Sequence, residues 1–490
     1  MKKAYSRSEP GSDPLRPDLC VIGAGAAGLS VASVAASFGV SVVLVEKGRM
    51  GGECLNAGCV PSKALIAAAR RAHAVREAGR YGIDAGPDHP LIDFARVQRH
   101  VKGVMAAIAP MDSVERYMAM GVQVIRAEAQ FTDPQTVVAG GKIVKARRFV
   151  IAAGSRPAIP SIQGLDQIPY LTNETIFDLA DRPEHLVVLG GGGIGVELAQ
   201  AYRRLGSRVT IMEPAQRILT REDPEMAAVI ERALRREGVE VRTGSDIERI
   251  EPRPSGGFAV MLEQAGGTVE GSHLLVAAGR RVDTEGLGLD AAGIEADSSG
   301  IIVDQGLRTS NAKVYAVGDC AGGSAADGRF THVANHHAGL VIRNALFALP
   351  VRLSKVPIPR VTYTDPELAA VGLTEEEARA THKEIRILRW SFADNDRARA
   401  EGETEGHVKA VVTPRGKILG CAIAGVRAGE LIMPWVLAMT RGVKVSGLAG
   451  LVYPYPTLSE VTKGTAVEFL KPSTQNRWIR RLIGVVGRLG

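Results

Sequence analysis

The sequence carries one glycine-and-acid pattern twice, and this repeat limits the folds open to the chain more than any other feature. The first copy is Gly23-Ala24-Gly25-Ala26-Ala27-Gly28 followed by Glu46. The second is Gly190-Gly191-Gly192-Gly193-Ile194-Gly195 followed by Glu213. In both, the acid stands 23 residues after the first glycine and 18 after the last. Each cluster follows a short apolar run (residues 19–22 and 186–189), leads into a helix, and reaches a second apolar run (40–45 and 208–212) that ends at the acid. The second helix is expected from about Val196 to Leu205. Strand, tight turn, helix and strand make a βαβ unit. At 490 residues the chain exceeds one hydrophobic core, so two to four domains are expected.

A glycine pattern alone is weak; its place between a strand and a helix is what carries chemistry. Gly23 and Gly190 suit the turn, Gly25 and Gly192 let backbone approach a pyrophosphate, and Gly28 and Gly195 let helix pack on strand. The helix N-terminus stabilises the phosphate charge. Glu46 and Glu213 can each accept hydrogen bonds from a ribose diol. A carboxylate at 213 repels a 2′-phosphate, which predicts NAD over NADP at the second site. Arg208 and Arg217 lie close in sequence and weaken that preference.

The other chemistry-bearing string is Gly51-Gly52-Glu53-Cys54-Leu55-Asn56-Ala57-Gly58-Cys59-Val60-Pro61-Ser62-Lys63. Two cysteines five apart on a regular helix stand too far apart for a disulfide. Gly58 permits a distorted turn that closes the gap, and Pro61 suits the first turn of a following helix, whose N-terminus favours a thiolate. The remaining cysteines, 20, 320 and 421, are isolated and complete no zinc pattern, so no metal site is expected. A redox pair is the reading left. The net charge of +7 is modest, and no basic stripe interleaved with aromatics supports nucleic-acid binding. The uncharged run 19–45 resolves into strand, turn, helix and strand, which argues against export or a membrane span.

The string GGECLNAGCVPSKAL resembles the active-site segment of the class I pyridine nucleotide-disulfide oxidoreductases, the family of dihydrolipoyl dehydrogenase, glutathione reductase and mercuric reductase. The likeness extends through residues 153–157, the second fingerprint to Glu197, Ala278-Gly279-Arg280, Val317-Gly318-Asp319, residues 362–367 and the run from Gly420 to Ile432. It implies an α/β fold with two Rossmann-like, glutathione reductase-type nucleotide-binding domains and a C-terminal α+β dimerisation domain, working as a homodimer with FAD on the first fingerprint and NAD on the second. The division expected is a tail at 1–17, an FAD-binding part at 18–160, an NAD(P)-binding domain at 161–285, a central part at 286–355, an interface domain at 356–472 and a basic amphipathic tail at 473–490. Carried over by motif, Cys59 lies against the flavin, Cys54 meets substrate, and Lys63 with Glu197 forms an ion pair beside the ring. Asp319 holds the ribityl chain. Lys47, Gly52, Ser155, Gly279 and Arg280 join the cofactor-binding set.

One position departs from the pattern. The disulfide reductases of this family carry His-Pro-Thr-x-x-Glu near the C-terminus, where the histidine serves the partner's interchange thiol and the glutamate orients it. Here the segment is Tyr455-Pro456-Thr457-Leu458-Ser459-Glu460. A phenol with pKa near 10 is a poor base at neutral pH. His332, His336 and His337 fall by motif near the flavin and offer little substitute. Mercuric reductases also have tyrosine near this position, but deliver metal through a C-terminal cysteine pair, and no cysteine follows Cys421. The expected activity is dihydrolipoyl dehydrogenase-like, in the cytoplasm. The alternatives are a mercuric-reductase-like reductase of metals or electrophiles and, in another class, a flavoprotein sensor or membrane-recruited electron-transfer subunit. Support for that last reading is the basic tail, where Trp478, Leu482, Val485 or Val486, and Leu489 share one helical face that could lie on an anionic membrane or dock on the dimer. Gly484 and Gly487 are expected to weaken that helix.

Overall fold

Runs of consecutive apolar residues with no polar alternation make strands buried on both faces, and such strands form the centres of parallel sheets. A computed structural model of the chain describes residues 13–84, 86, 90–254, 256–263, 267–325, 328–353, 356–475 and 477–487. Most of the expected N-terminal tail, and Leu489 of the basic one, lie outside them. The strand Leu19–Ile22 is buried throughout and lies at the middle of a five-stranded parallel sheet. It pairs with Val42–Glu46 on one side and Arg148–Ile151 on the other, with Leu19 opposite both Val42 and Arg148. Val314–Ala316 and Gln123–Arg126 complete the edges.

The second unit repeats the plan. His185–Leu189 runs between Arg208–Glu213 and His273–Val276, all parallel, with Glu240–Thr243 and Tyr170–Leu171 outside them. From Pro359 the sheet type changes. Pro359–Thr362, Glu367–Gly372, Ile418–Gly425, His407–Val412 and Arg386–Ser391 form an antiparallel five-stranded sheet covered by helices, the expected α+β domain.

Two boundaries differ from expectation for local reasons. The strand expected from residue 40 begins at Val42, because Gly39 (φ +74°) and the Val40 N–H, which donates to the Ala35 carbonyl, still belong to the helix end. The helix expected from about Val196 begins at Gly193. Glycine propensity argues against helix there, but the fingerprint turn delivers the chain into helix directly after Gly192.

One apolar cluster positions the site. It joins Leu65 and Ala69 of the helix Cys59–Arg76, Val196 and Leu198 of the helix Gly193–Arg204, and Leu368, Ala370 and Ala422 of the antiparallel sheet. Leu65 and Val196 are fully buried, each contributing about 2 kcal/mol of burial. The second parallel sheet and the antiparallel sheet are thereby locked around the two helices that carry Lys63 and Glu197.

Candidate active site

Gly58 is why two cysteines five positions apart can meet. The helix Gly52–Asn56 carries Cys54 and stops at Ala57; Gly58, at φ −126° and ψ −113°, turns the chain before the helix Cys59–Arg76 begins. A Cβ on Gly58 would stand 3.2 Å from the Glu53 carbonyl oxygen. Both thiols are free, and each shifts the other's pKa. Cys59 is the anion of the two. A hydrogen bond from Cys54, the Thr331 hydroxyl 3.5 Å away and the Lys63 charge hold its pKa down to about 5 against the opposing effect of burial. Its place at the first helical position, with unpaired N–H groups around it, works in the same direction. The hydrogen bond to Cys59 and burial push Cys54 up. Cys20 and Cys320 are buried and raised to about 12 and about 11, and Cys421 is raised as well, so all three stay protonated.

One turn beyond Cys59, Lys63 Nζ donates to Glu197 Oε2 at 2.8 Å. Glu197 is buried, and its other oxygen accepts from the Tyr363 backbone N–H at 2.9 Å. The Lys63 ammonium also lies 4.2 Å from the centre of the Tyr363 ring. A cation placed by a carboxylate, a ring and a helix keeps its position without water reorganising around it.

Beside Cys54 lies a second charged network. Arg280 donates through both terminal nitrogens to Glu53, one contact at 2.5 Å. Its Nε donates to Ser155 Oγ at 2.9 Å, and Ser155 Oγ donates to Asp319 Oδ2 at 2.6 Å. Asn173 Nδ2 joins Glu53 to the Ala57 carbonyl, at 2.7 and 3.1 Å. Burial pushes the Glu53 carboxyl up, and Arg280 works against that rise. Four members of the expected cofactor set, or their immediate neighbours, thus converge on the helix bearing Cys54.

Both fingerprints form cradles that fit a dinucleotide. Gly25 and Gly192 stand just before helices with no side-chain cap. A Cβ on Gly192 would meet nothing within 4 Å, and one on Gly25 only the Gly52 Cα at 3.9 Å. An uncapped helix N-terminus facing open space is an anion site of the kind a pyrophosphate needs. The third glycines have the opposite surroundings: a Cβ on Gly28 would be 1.8 Å from the Gly23 carbonyl oxygen, and one on Gly195 2.0 Å from that of Gly190. The acids match too. Glu46 accepts from Ala24 N–H at 2.5 Å and Gly48 N–H at 2.6 Å; Glu213 accepts from Gly191 N–H at 2.7 Å and Ala215 N–H at 2.9 Å. Each carboxylate oxygen retains a lone pair for a ribose hydroxyl.

Other expected residues sit apart. Lys47 pairs with Asp283 at 2.8 Å. Gly279, at φ +130°, has open space where a Cβ would be. His337 Nδ1 accepts from Gly318 N–H at 3.3 Å, and burial lowers its pKa to about 4, while His332 contacts the Pro359 carbonyl oxygen. Of the three histidines, His337 therefore stands by the Asp319 turn. Tyr455 is 71% exposed, and its hydroxyl donates to Asp396 Oδ2 at 3.0 Å, which raises its pKa. Glu460 accepts from Thr457 N–H at 3.4 Å. Among the described residues no hydrogen bond or ion pair joins Tyr455 or Glu460 to Cys54 within one chain.

Thr331, Tyr363, Glu53 and Asp396 escaped the sequence reading. Glu53 and Tyr363 lie inside strings already singled out, but nothing local marks their partners. Thr331 stands 272 positions from the thiolate it supports, and no short-range signal spans that gap.

The pyridine nucleotide-disulphide oxidoreductase family model matches residues 17–338, and the dimerisation domain of the same family matches residues 358–466. A mercuric reductase of Streptomyces lividans is 38% identical over 464 residues, covering 92% of this chain and 96% of that one. A dihydrolipoyl dehydrogenase of Geobacillus stearothermophilus is 36% identical over 466 residues, covering 93% and 97%. Among solved structures, the HOCl-induced flavoprotein disulfide reductase RclA of Escherichia coli is similar with a TM-score of 0.82 at 27% identity, over 92% of this chain and 99% of that one. A Cu(II) complex of RclA is similar at a TM-score of 0.81 and 28% identity, over 91% and 98%.

Proposed function

The chain belongs to the pyridine nucleotide-disulphide oxidoreductase family, and from that premise we propose that its cysteine pair passes electrons to a thiophilic metal ion or a comparable soft electrophile. It is an FAD-dependent enzyme that uses NAD(P)H, and its dimerisation domain supports a homodimer. The bound flavin supplies the means of turning a nicotinamide hydride into an electron pair for the Cys54–Cys59 disulfide. That disulfide opens with two electrons and one proton, leaving a Cys59 thiolate and a Cys54 thiol. Lys63 and Thr331 hold the charge on Cys59, and Glu197 and Tyr363 hold Lys63. A divalent thiophilic ion such as Hg²⁺ then binds the two sulfurs in place of the Cys54 proton and takes both electrons, whereas Cu²⁺ takes one electron and two ions are reduced to Cu⁺ per disulfide re-formed. Transfer of the two electrons re-forms the disulfide and leaves one proton in solution.

The observation that carries this reading is Tyr455. A phenol whose hydroxyl donates to Asp396 ionises less readily than a free one, so less of its basic form is present at neutral pH. An acceptor disulfide needs a proton moved on and off Cys54 in each half-reaction, whereas a metal ion displaces that proton itself. Relatives named as mercuric reductases and a neighbour solved with Cu(II) support the choice. The second reading is a lipoyl-type disulfide, supported by the dihydrolipoyl dehydrogenase relatives.

We propose further that the nicotinamide site prefers NAD. A carboxylate at Glu213 would repel a 2′-phosphate, and the nearby arginines do not oppose that repulsion. Arg217 donates to the Leu219 and Thr220 carbonyls. Arg208 begins the strand that Glu213 ends, roughly 16 Å away at strand rise.

The test is anaerobic titration of the holoenzyme with NADH, followed by steady-state rates with Hg²⁺, Cu²⁺, lipoamide and oxidised glutathione. A thiolate–flavin absorbance band is expected, with kcat/KM at least about tenfold higher for a metal ion than for lipoamide. Faster lipoamide turnover would sink the acceptor proposal while leaving the cysteine mechanism standing. Absence of the band, with the disulfide intact, would sink both.

A further inference from the structure

From Lys471 onward every charged side chain is basic: Lys471, Arg477, Arg480, Arg481 and Arg488. The helix Arg477–Val486 separates its charges from its apolar residues. At 100° per residue, Arg477, Arg480, Arg481 and Gly484 fall on one side, and the other six residues, all apolar, fill an arc of about 160° opposite them. Of the two glycines expected to weaken the helix, Gly484 lies on its basic side and the helix runs on past it to Val486, while Gly487 lies just beyond the helix end.

None of the helix is buried. Trp478 is 76% exposed, and Leu482 and Ile483 are 63% and 64% exposed. Arg480 Nε donates to the Thr474 carbonyl at 2.8 Å, in the adjoining turn Lys471–Gln475. A helix with a wide apolar arc, a tryptophan on that arc and only cations opposite matches the chemistry of a bilayer surface, where acyl chains meet anionic headgroups. Ten residues rise only about 15 Å, half of what spanning requires, and no described helix is long and apolar enough to cross a membrane.

We propose that this helix lies in the surface of an anionic lipid bilayer, its apolar arc among the acyl chains and its arginines among headgroup phosphates, and so holds the enzyme at a membrane. Charge decides between this occupant and a second copy of the helix. A second copy packed on the apolar arc would leave the arginines of both helices on the outer faces with no acidic side chain from residues 471–490 to pair them, whereas anionic lipid supplies the counter-charge. A homodimer presents two such helices, so engagement of one raises the effective concentration of the other. The proposal stands independently of the electron acceptor.

The experiment is flotation of the FAD-loaded full chain with vesicles of phosphatidylcholine alone or of phosphatidylcholine with phosphatidylglycerol, with tryptophan emission recorded in parallel. Three arginines at about fivefold each predict binding on the order of a hundredfold tighter to the anionic vesicles, weakening with added salt. The emission of Trp478 shifts to the blue on binding. Leu482→Glu and Ile483→Glu each abolish flotation and leave NADH oxidation with the best acceptor unchanged, which shows that the protein is folded. Arg480→Glu with Arg481→Glu removes the preference for anionic vesicles. Failure of the unaltered protein to float with anionic vesicles overturns the proposal, as does equal binding to both kinds. A fall in oligomer size caused by Leu482→Glu, measured by light scattering without lipid, also overturns it, because a second copy would then be the occupant.

Discussion

Replacing Tyr455 by histidine tests the reasoning about the proton most directly. At pH 7 a phenol with a pKa at or above 10 is ionised to at most about one part in a thousand, whereas an imidazole near 6.5 is about three-quarters free base. The supply of competent base therefore rises roughly 700-fold, within the 10²–10⁴ range typical of general-base catalysis. Asp396, 3.0 Å from the Tyr455 hydroxyl, moderates the gain. A carboxylate there stabilises the imidazolium, and a rise of about one unit in the histidine pKa cuts the free base at pH 7 roughly threefold. The expected outcome for Tyr455→His is a rise of about 100-fold in kcat/KM for NADH-dependent lipoamide reduction, about 2.7 kcal/mol off the barrier. The rate should climb with pH through about 6.5–7.5. Turnover of a thiophilic metal ion should change less than about threefold, because no base is needed there. Tyr455→Phe is the control and should leave both activities near the starting values. A lipoamide rate that stays within threefold of the unaltered enzyme would refute the argument, since Tyr455 would then not stand at the substrate thiol.

Lys63→Met removes a charge one helical turn, about 6 Å, from Cys59, worth between about 0.7 and 3 kcal/mol depending on effective dielectric. Glu197 offsets part of it, so the Cys59 pKa should rise from about 5 by roughly one unit, read as the pH at which thiolate absorbance of the reduced pair is lost on acidification. Arg280→Met leaves Glu53 partly buried without its cation. Thermal unfolding should show a loss of roughly 1–3 kcal/mol, below the fully buried case because the Glu53 side chain is 31% exposed. Burial then raises the Glu53 pKa unopposed, the folded state binds more protons than the unfolded one, and the loss should deepen as pH rises. Glu213→Ala should raise kcat/KM for NADPH relative to NADH by about tenfold, measured in paired steady-state assays; an unchanged ratio would place the 2′-position elsewhere.

Much of the site was legible because its requirements are local. Gly28 and Gly195 must be glycine since each would drive a Cβ into a carbonyl five residues back, and Gly58 breaks the helix between two cysteines that a regular helix would hold apart. The sequence by itself therefore determined two dinucleotide cradles, a redox-competent cysteine pair and the absence of a histidine at position 455. It also determined the amphipathic pattern of residues 477–486. Tertiary structure decided which distant groups support the charge on Cys59, because Thr331 reaches it across 272 positions and Glu197 reaches Lys63 across 134. It likewise decided that Arg280 clamps Glu53 and that Tyr455 donates to Asp396. Backbone needs are written in a few consecutive residues, whereas a charge acquires its partner only when the packing of whole sheets and helices brings distant side chains within hydrogen-bond reach.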